Sequence, residues 1–247
     1  MPRAARRKSE SGIYHIMLRG INGQVIFEDK QDKEKFLETL KTYKAISEYK
    51  VFAYCLMSNH VHLLLKTGKE ELDLILKRIA GSYVYLYNWK YKRRGHLFQD
   101  RFKSEPVEDD SYFLTVIRYI HQNPIKSGLC KKIEEYEYSS YNEYIKEEKI
   151  IDSEFCFDIL PKEEFIKFNG EIGLESCLDI EQNDFRLTDE EAVKIIQKIS
   201  KCKSITEIQN LTTEKRDKCL KKLRQSGLSI RQIARLTGVS FNVVRKF

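Results

Sequence analysis

Two histidines stand one residue apart in "NHVHLLLK" (59–66), and they are two of only five in 247 residues. The run around them is apolar and β-branched, so it reads as a strand. Side chains alternate along a strand, which puts His60 and His62 on one face and Val61, Leu63 and Leu65 on the other. Two imidazoles so close can share a divalent cation, although two core histidines satisfied by hydrogen bonds would leave the same trace. A third ligand has to come from elsewhere. "RYIHQNP" (118–124) offers one, because Tyr119 and Asn123 are four apart and project from one face of a helix. An Asn carbonyl oxygen suits Mg²⁺ or Mn²⁺, and a phenol beside a cation-bound phosphate can attack phosphorus. His60, His62 and Asn123 are thus the candidate metal ligands and Tyr119 the candidate nucleophile, although a single one of 14 tyrosines more often packs than reacts.

The elements that must position these residues alternate along the chain. "GIYHIMLRG" (12–20) reads as a strand closed by Gly20, and 29–46 as a helix with Phe36, Leu37, Leu40 and Tyr43 inward. "KVFAYCLM" (50–57) is a second strand, joined through a Ser58-Asn59 turn to the strand of the two histidines (60–66). A helix follows from Glu70 to Lys92, then an extended stretch at 96–107, then a helix over 109–123 stopped by Pro124. The order β-α-β-β-α-β-α predicts an α+β fold, a ferredoxin-like split βαβ domain with an antiparallel sheet and one added helix.

Charge divides the chain. Lys and Arg exceed Asp and Glu by seven over residues 1–146 and by nine over 201–247, while 147–182 carries eight more acids than bases. Two basic blocks favour a polyanion touched at two places. The expected domains are a catalytic unit at 1–146, an acidic connector at 147–182 and a small all-α unit at 183–247. The six cysteines show no CxxC pair, and no apolar run is long enough to span a membrane; both fit a cytoplasmic protein without a membrane partner.

The pairing of "NHVHLLL" with a downstream "RYIHQNP" resembles the HUH single-tyrosine transposases, and in particular the REP-associated tyrosine transposases. "YHIMLRG" (14–20), "FQDRFKSEPV" (98–107), "NPIKSGL" and "YEYSSYNEY" (136–144) extend the likeness over roughly residues 12 to 145. The resemblance implies a transposase that cleaves and rejoins single-stranded or hairpin DNA. His60, His62 and Asn123 would hold one Mg²⁺ or Mn²⁺ on the scissile phosphate, and Tyr119 would attack it, leaving a 5′-phosphotyrosine and a free 3′-hydroxyl. Insertion-sequence members of the class usually carry Gln four residues after the tyrosine, whereas the REP-associated branch has Asn, as at Asn123. Gln122 would point about 100° away on an ideal helix.

Contacts to DNA are expected from Arg19 in the first strand, from Lys90, Lys92, Arg93 and Arg94 interleaved with Trp89 and Tyr91, and from Arg101 and Lys103 alternating on the following strand. A solvated helix end would also favour those cations. His15 either approaches the site or serves the core, and His121 faces elsewhere on its helix. The tail "CLKKLRQSGLSIRQIARLTGVSFNVVRKF" resembles a helix-turn-helix, with Ser229 as cap, a turn at Gly238 and a last helix from Ser240 to the end. It places Asn242, Arg245 and Lys246 for contact with duplex DNA. Two classes of function remain: a DNA-joining enzyme, and a non-catalytic DNA-binding regulator that keeps the same fold. A metal-dependent phosphodiesterase, in which Tyr119 only hydrogen-bonds, is a third. Whether the protein acts as a homodimer is open.

Overall fold

The computed structural model describes residues 6–99, 101–171, 173, 177–178, 187–202 and 204–247. Four strands make the sheet: β1 (Ile13–Arg19), β2 (Lys50–Leu56), β3 (His60–Lys66) and β4 (Lys103–Pro106). They lie in the order β2-β3-β1-β4, with every pairing antiparallel. Helices α1 (Lys30–Ser47) and α2 (Leu72–Lys90) supply the crossovers, and α3 (Asp110–Lys126) follows β4. This is the expected split βαβ arrangement. The register places Met17 opposite His62 and Arg19 opposite His60, so the odd residues of β1 share a face with the even residues of β3. The histidines therefore sit on a central strand, and α3 lies over their face, since its Tyr119 ring meets both His62 and His15.

Local chemistry fixes the ends of these elements. Asp29 caps α1 by accepting from the Asp32 amide, and Asp32 accepts in return from the Asp29 amide, a reciprocal capping box. Lys90, at the end of α2, bridges the two carboxylates at 2.7 and 2.8 Å and ties the helices together. At the end of β1, Gly20 gives its amide to the Asn59 carbonyl at 2.8 Å, and the Ile26 and Phe27 amides both reach the Ser58 carbonyl. The loop after β1 thus braces the turn that delivers His60. A side chain at Gly20 would place its first carbon 2.1 Å from the Gln24 carbonyl oxygen.

Several boundaries differ from the expectation. Helix α3 runs through Pro124 to Lys126 rather than stopping there: the Ser127 amide still reaches the Asn123 carbonyl, so the turn around the proline closes. Only Lys103–Pro106 of the extended stretch 96–107 pairs as a strand, apart from an isolated bridge between Phe98 and Gly20, so Arg101 precedes β4 instead of alternating with Lys103 on it. Helices α4 (Tyr141–Ile145), α5 (Glu154–Ile159) and α6 (Lys162–Gly170) follow. Although acidic outside, the stretch expected as a connector contributes Ile150, Ile151, Cys156 and Phe165 to the same core as the sheet. Its expected end at residue 182 lies outside the described residues.

A second core belongs to α7 (Asp189–Ser200), α8 (Thr213–Gln225), α9 (Ile230–Thr237) and α10 (Phe241–Val244), built on Ile196, Ile208, Leu220, Leu223, Leu228 and Ile233. Ser229 caps α9 through the Gln232 amide, and Gly238 turns the chain with a left-handed φ of 73°. The last helix covers four residues, shorter than the expected run from Ser240 to the end. All six cysteines are free, and among the described residues no helix is long and apolar enough to cross a membrane.

Replacing Gly20 by Ala is expected to destabilise the protein by roughly 1–3 kcal/mol, because backbone rather than a flexible side-chain end blocks the new methyl. Urea unfolding measures this, and an unchanged midpoint would show that the loop absorbs the methyl freely.

Candidate active site

His60 and His62 reach the site from β3 with their rings nearly perpendicular and centroids 5.0 Å apart, both buried. Each is oriented through Nδ1. His60 Nδ1 donates to the Asn59 side-chain oxygen at 2.7 Å, and the Asn59 amide nitrogen in turn reaches the Gly23 carbonyl at 3.4 Å. His62 Nδ1 lies 3.1 Å from Nε2 of His15, whose own Nδ1 donates to Glu105 at 2.9 Å. Burial, reinforced by the neighbouring His60 and His15, holds the His62 imidazole well below its ordinary range, so it is neutral and keeps a lone pair. Its Nε2 is buried with no hydrogen-bond partner among the described residues. That is the state a metal-ligating imidazole needs.

Tyr119 descends from α3 onto this pair. The helix is started by Asp109, which accepts from the Tyr112 amide, and its apolar stripe of Phe113, Val116, Ile117 and Ile120 presses it to the core. The Tyr119 ring meets His62 edge-on at 5.7 Å and His15 at 5.9 Å, and the Lys126 ammonium lies 4.6 Å above its centre. The residue is 4% exposed and its hydroxyl is buried. Asn123 is buried one helical turn further on. Among the described residues no three His, Cys, Asp or Glu side chains group as they would around a metal ion.

The cationic residues expected at DNA divide. Lys103 is exposed on β4, opposite Met17 and so on the face of the histidines, and Arg19 is half-buried beside His60. Lys92, Arg94 and Arg101 are exposed, as are Asn242, Arg245 and Lys246 at the end of the chain. Lys90 is committed to Asp29 and Asp32, and Tyr91 gives its hydroxyl to Asp32 at 2.8 Å, so these two brace the fold. Arg93 leans on the Tyr87 ring at 5.5 Å. Trp89 stands 77% exposed and Tyr85, one turn earlier, 73%.

Three residues escaped the sequence reading: Asn59, Glu105 and Tyr112. In the sequence, Asn59 reads only as a turn residue. The signal for Glu105 was weak, since its importance depends on β4 pairing with β1 at His15. His121 does face away, as expected. It is wholly buried between Asn169 and Ser140, each at 2.9 Å.

Residues 8–123 match the family described as "Transposase IS200 like", a span that closes on Asn123 and contains both histidines and Tyr119. The match covers a little under half of the chain, which is similar to the IS200-like transposases over that span. Among the proteins the chain is similar to, one from Haemophilus influenzae, named "Putative REP-associated tyrosine transposase", is 25% identical over a 126-residue alignment that covers 45% of this chain and 71% of that protein. The solved structure of a REP-associated tyrosine transposase bound to a REP hairpin shares the fold, with a TM-score of 0.52 at 14% identity over 59% of this chain and 86% of that one. The α7–α10 unit lies beyond the family match.

Burial pushes His121 down to about 4, against a hydrogen bond to Asn169 that favours its charged form. The unfolded imidazole therefore binds its proton first, and the stability gained by keeping His121 neutral is fully present above about pH 6.5 and is lost as pH falls toward about 4. The loss expected from this group alone is at most about 3 kcal/mol. Urea titrations between pH 7.5 and 4 measure it as the difference between the native protein and a His121→Gln variant; parallel curves would assign acid sensitivity to other groups.

Proposed function

We propose that the protein is a transposase that cleaves and rejoins single-stranded DNA through a covalent phosphotyrosine, with Tyr119 as nucleophile. The observation that carries the reading is the contact of the Tyr119 ring with His62 and His15 within 6 Å, inside the span matched to the family. The phenolic oxygen forms a bond to phosphorus, the bond from phosphorus to the 3′-oxygen breaks, and the phenol's proton ends on that oxygen. The products are a 5′-phosphotyrosine and a 3′-hydroxyl. Attack by another 3′-hydroxyl reverses the step and releases Tyr119, so joining needs no separate energy source.

His60, His62 and Asn123 would hold a Mg²⁺ or Mn²⁺ ion, and the neutral, buried Nε2 of His62 fits that role. When bound, such an ion polarises the phosphate and offsets charge developing in the transition state. Lys126, above the Tyr119 ring, adds positive charge close to the phenol. Because the Tyr119 hydroxyl is buried, substrate has to displace what covers it before the oxygen can meet phosphorus.

The proposed partner is hairpin or single-stranded DNA; the structural relative is bound to a REP hairpin. Lys92, Arg94, Arg101 and Lys103 supply exposed cations for its backbone, and Trp89 an exposed ring for a base. The α9–α10 pair would read duplex DNA through Asn242 and Arg245, with Lys246 on phosphate.

Incubation with hairpin-bearing single-stranded DNA and Mn²⁺ should give an adduct that survives denaturing electrophoresis. Tyr119→Phe should abolish it while leaving hairpin binding intact, and His60→Ala or His62→Ala should slow it on the order of 10²-fold or more. Cleavage without adduct would mean that water attacks and Tyr119 does not, and DNA binding without cleavage would favour a regulator. For the tail, Asn242→Ala is expected to weaken binding to its preferred duplex by about 1–3 kcal/mol, whereas Lys246→Ala should weaken all duplexes alike and flatten the salt dependence. Fluorescence anisotropy at several salt concentrations separates the two, and equal losses on every sequence would rule out base reading by Asn242.

A further inference from the structure

His62 belongs to a row of hydrogen bonds that crosses three neighbouring strands. Its Nδ1 lies 3.1 Å from His15 Nε2 on β1, and His15 Nδ1 lies 2.9 Å from Glu105 Oε1 on β4. The same carboxylate oxygen takes the Tyr112 hydroxyl of α3 at 2.7 Å and the Leu178 amide at 3.2 Å. The register explains the row: His15 and Glu105 are direct partners, and His62 faces Met17, two positions along β1 from His15.

The chemistry of the partners gives the row a direction. Burial raises the Glu105 carboxyl, but the hydrogen bonds from His15 and Tyr112 outweigh it and hold the group below the usual carboxylate range. An ionised carboxylate has no hydrogen to give, so the one in the His15–Glu105 contact sits on His15 Nδ1. His62 Nε2 is buried with no hydrogen-bond partner among the described residues, whereas Nδ1 has one in His15 Nε2, so the hydrogen that fills the 3.1 Å contact is placed on His62 Nδ1. The lone pair of His62 is then left on Nε2. His60 reaches the same state by another route, since its Nδ1 donates to the Asn59 oxygen. Two unrelated acceptors impose one tautomer on both imidazoles, a coincidence for which packing alone gives no reason.

We propose that Glu105 and His15 are positioning residues that fix His62 with its Nε2 lone pair directed to the divalent cation; this rests on the metal-site reading above. Tyr112 anchors the row in the helix of the nucleophile, seven residues and about two turns before Tyr119. One carboxylate therefore holds a ligand strand and the nucleophile helix in mutual register. Oriented acceptors behind metal-bound histidines typically change metal affinity 10–100-fold when removed.

The test combines the tautomer, read from long-range proton–nitrogen correlations of the imidazoles, with calorimetric titration by Mn²⁺ alone. The full chain should show His62 protonated on Nδ1. His15→Leu should move that proton to Nε2 and weaken Mn²⁺ binding roughly 10–100-fold, and His15→Gln, whose amide oxygen can accept, should recover most of both. Glu105→Leu removes the acceptor behind His15 and should shift both readouts in the direction of His15→Leu; it decides the matter if the His15 variant does not fold. The proposal is overturned if the variants keep the Nδ1 proton and native affinity while His60→Ala loses Mn²⁺, a result that spares the metal site. If the native protein binds no Mn²⁺, both fall together.

Discussion

The arrangement depends on burying three imidazoles under one helix with a hydrogen-bond partner for each. His15, His60 and His62 lie on one face of two central strands, beneath α3, where an unpaired charge would be costly. Burial keeps His62 neutral, and the fold supplies each Nδ1 with a partner: Asn59 for His60, His15 for His62, Glu105 for His15. Every element around the site answers to that constraint. The Gly20–Phe27 loop holds the Asn59 turn, β4 brings Glu105 to His15, and the apolar stripe of α3 sets Tyr119 against the rings. Loss of any support would leave a buried polar atom without its partner, at a cost of about 1–3 kcal/mol each.

This organisation explains why a small sheet can hold reactive groups with little flexibility in them. The histidines and Tyr119 come from regular elements whose positions are set by core packing, while the residues that orient them come from a turn and an edge strand. The proposed cation-binding and nucleophilic groups thus sit on regular elements of the fold. Exposed cationic side chains suited to a nucleic acid backbone stand at Lys92, Arg94, Arg101 and Lys103, the last on the face of the histidines.

Much of this was legible in the sequence because it rests on periodicity. Alternation placed His60 and His62 on one face, a four-residue step placed Tyr119 and Asn123 together, and the succession of patterns gave the split βαβ order. What escaped depended on contacts between distant segments. Nothing in "KSEP" announces that Glu105 pairs with His15, since the partner is 90 residues away and the strand has only four residues. Lys90 and Tyr91 look like a nucleic-acid motif beside Trp89, yet their partners Asp29 and Asp32 cap a helix some 60 residues earlier. Pro124 was read as a stop because it lacks an amide hydrogen, but helix α3 continues to Lys126. The acidic stretch after residue 146 was judged by its charge, whereas Cys156 and Phe165 within it belong to the main core.

The most direct test of the account is to locate the covalent bond itself. Protein trapped on hairpin-bearing single-stranded DNA, digested with nuclease and protease and sequenced by tandem mass spectrometry, should carry a nucleotide phosphate on the peptide that contains Tyr119, attached through the nucleotide's 5′ end. A nucleotide on any of the other 13 tyrosines, or attachment through a 3′-phosphate, would contradict the pairing of this phenol with the buried histidines.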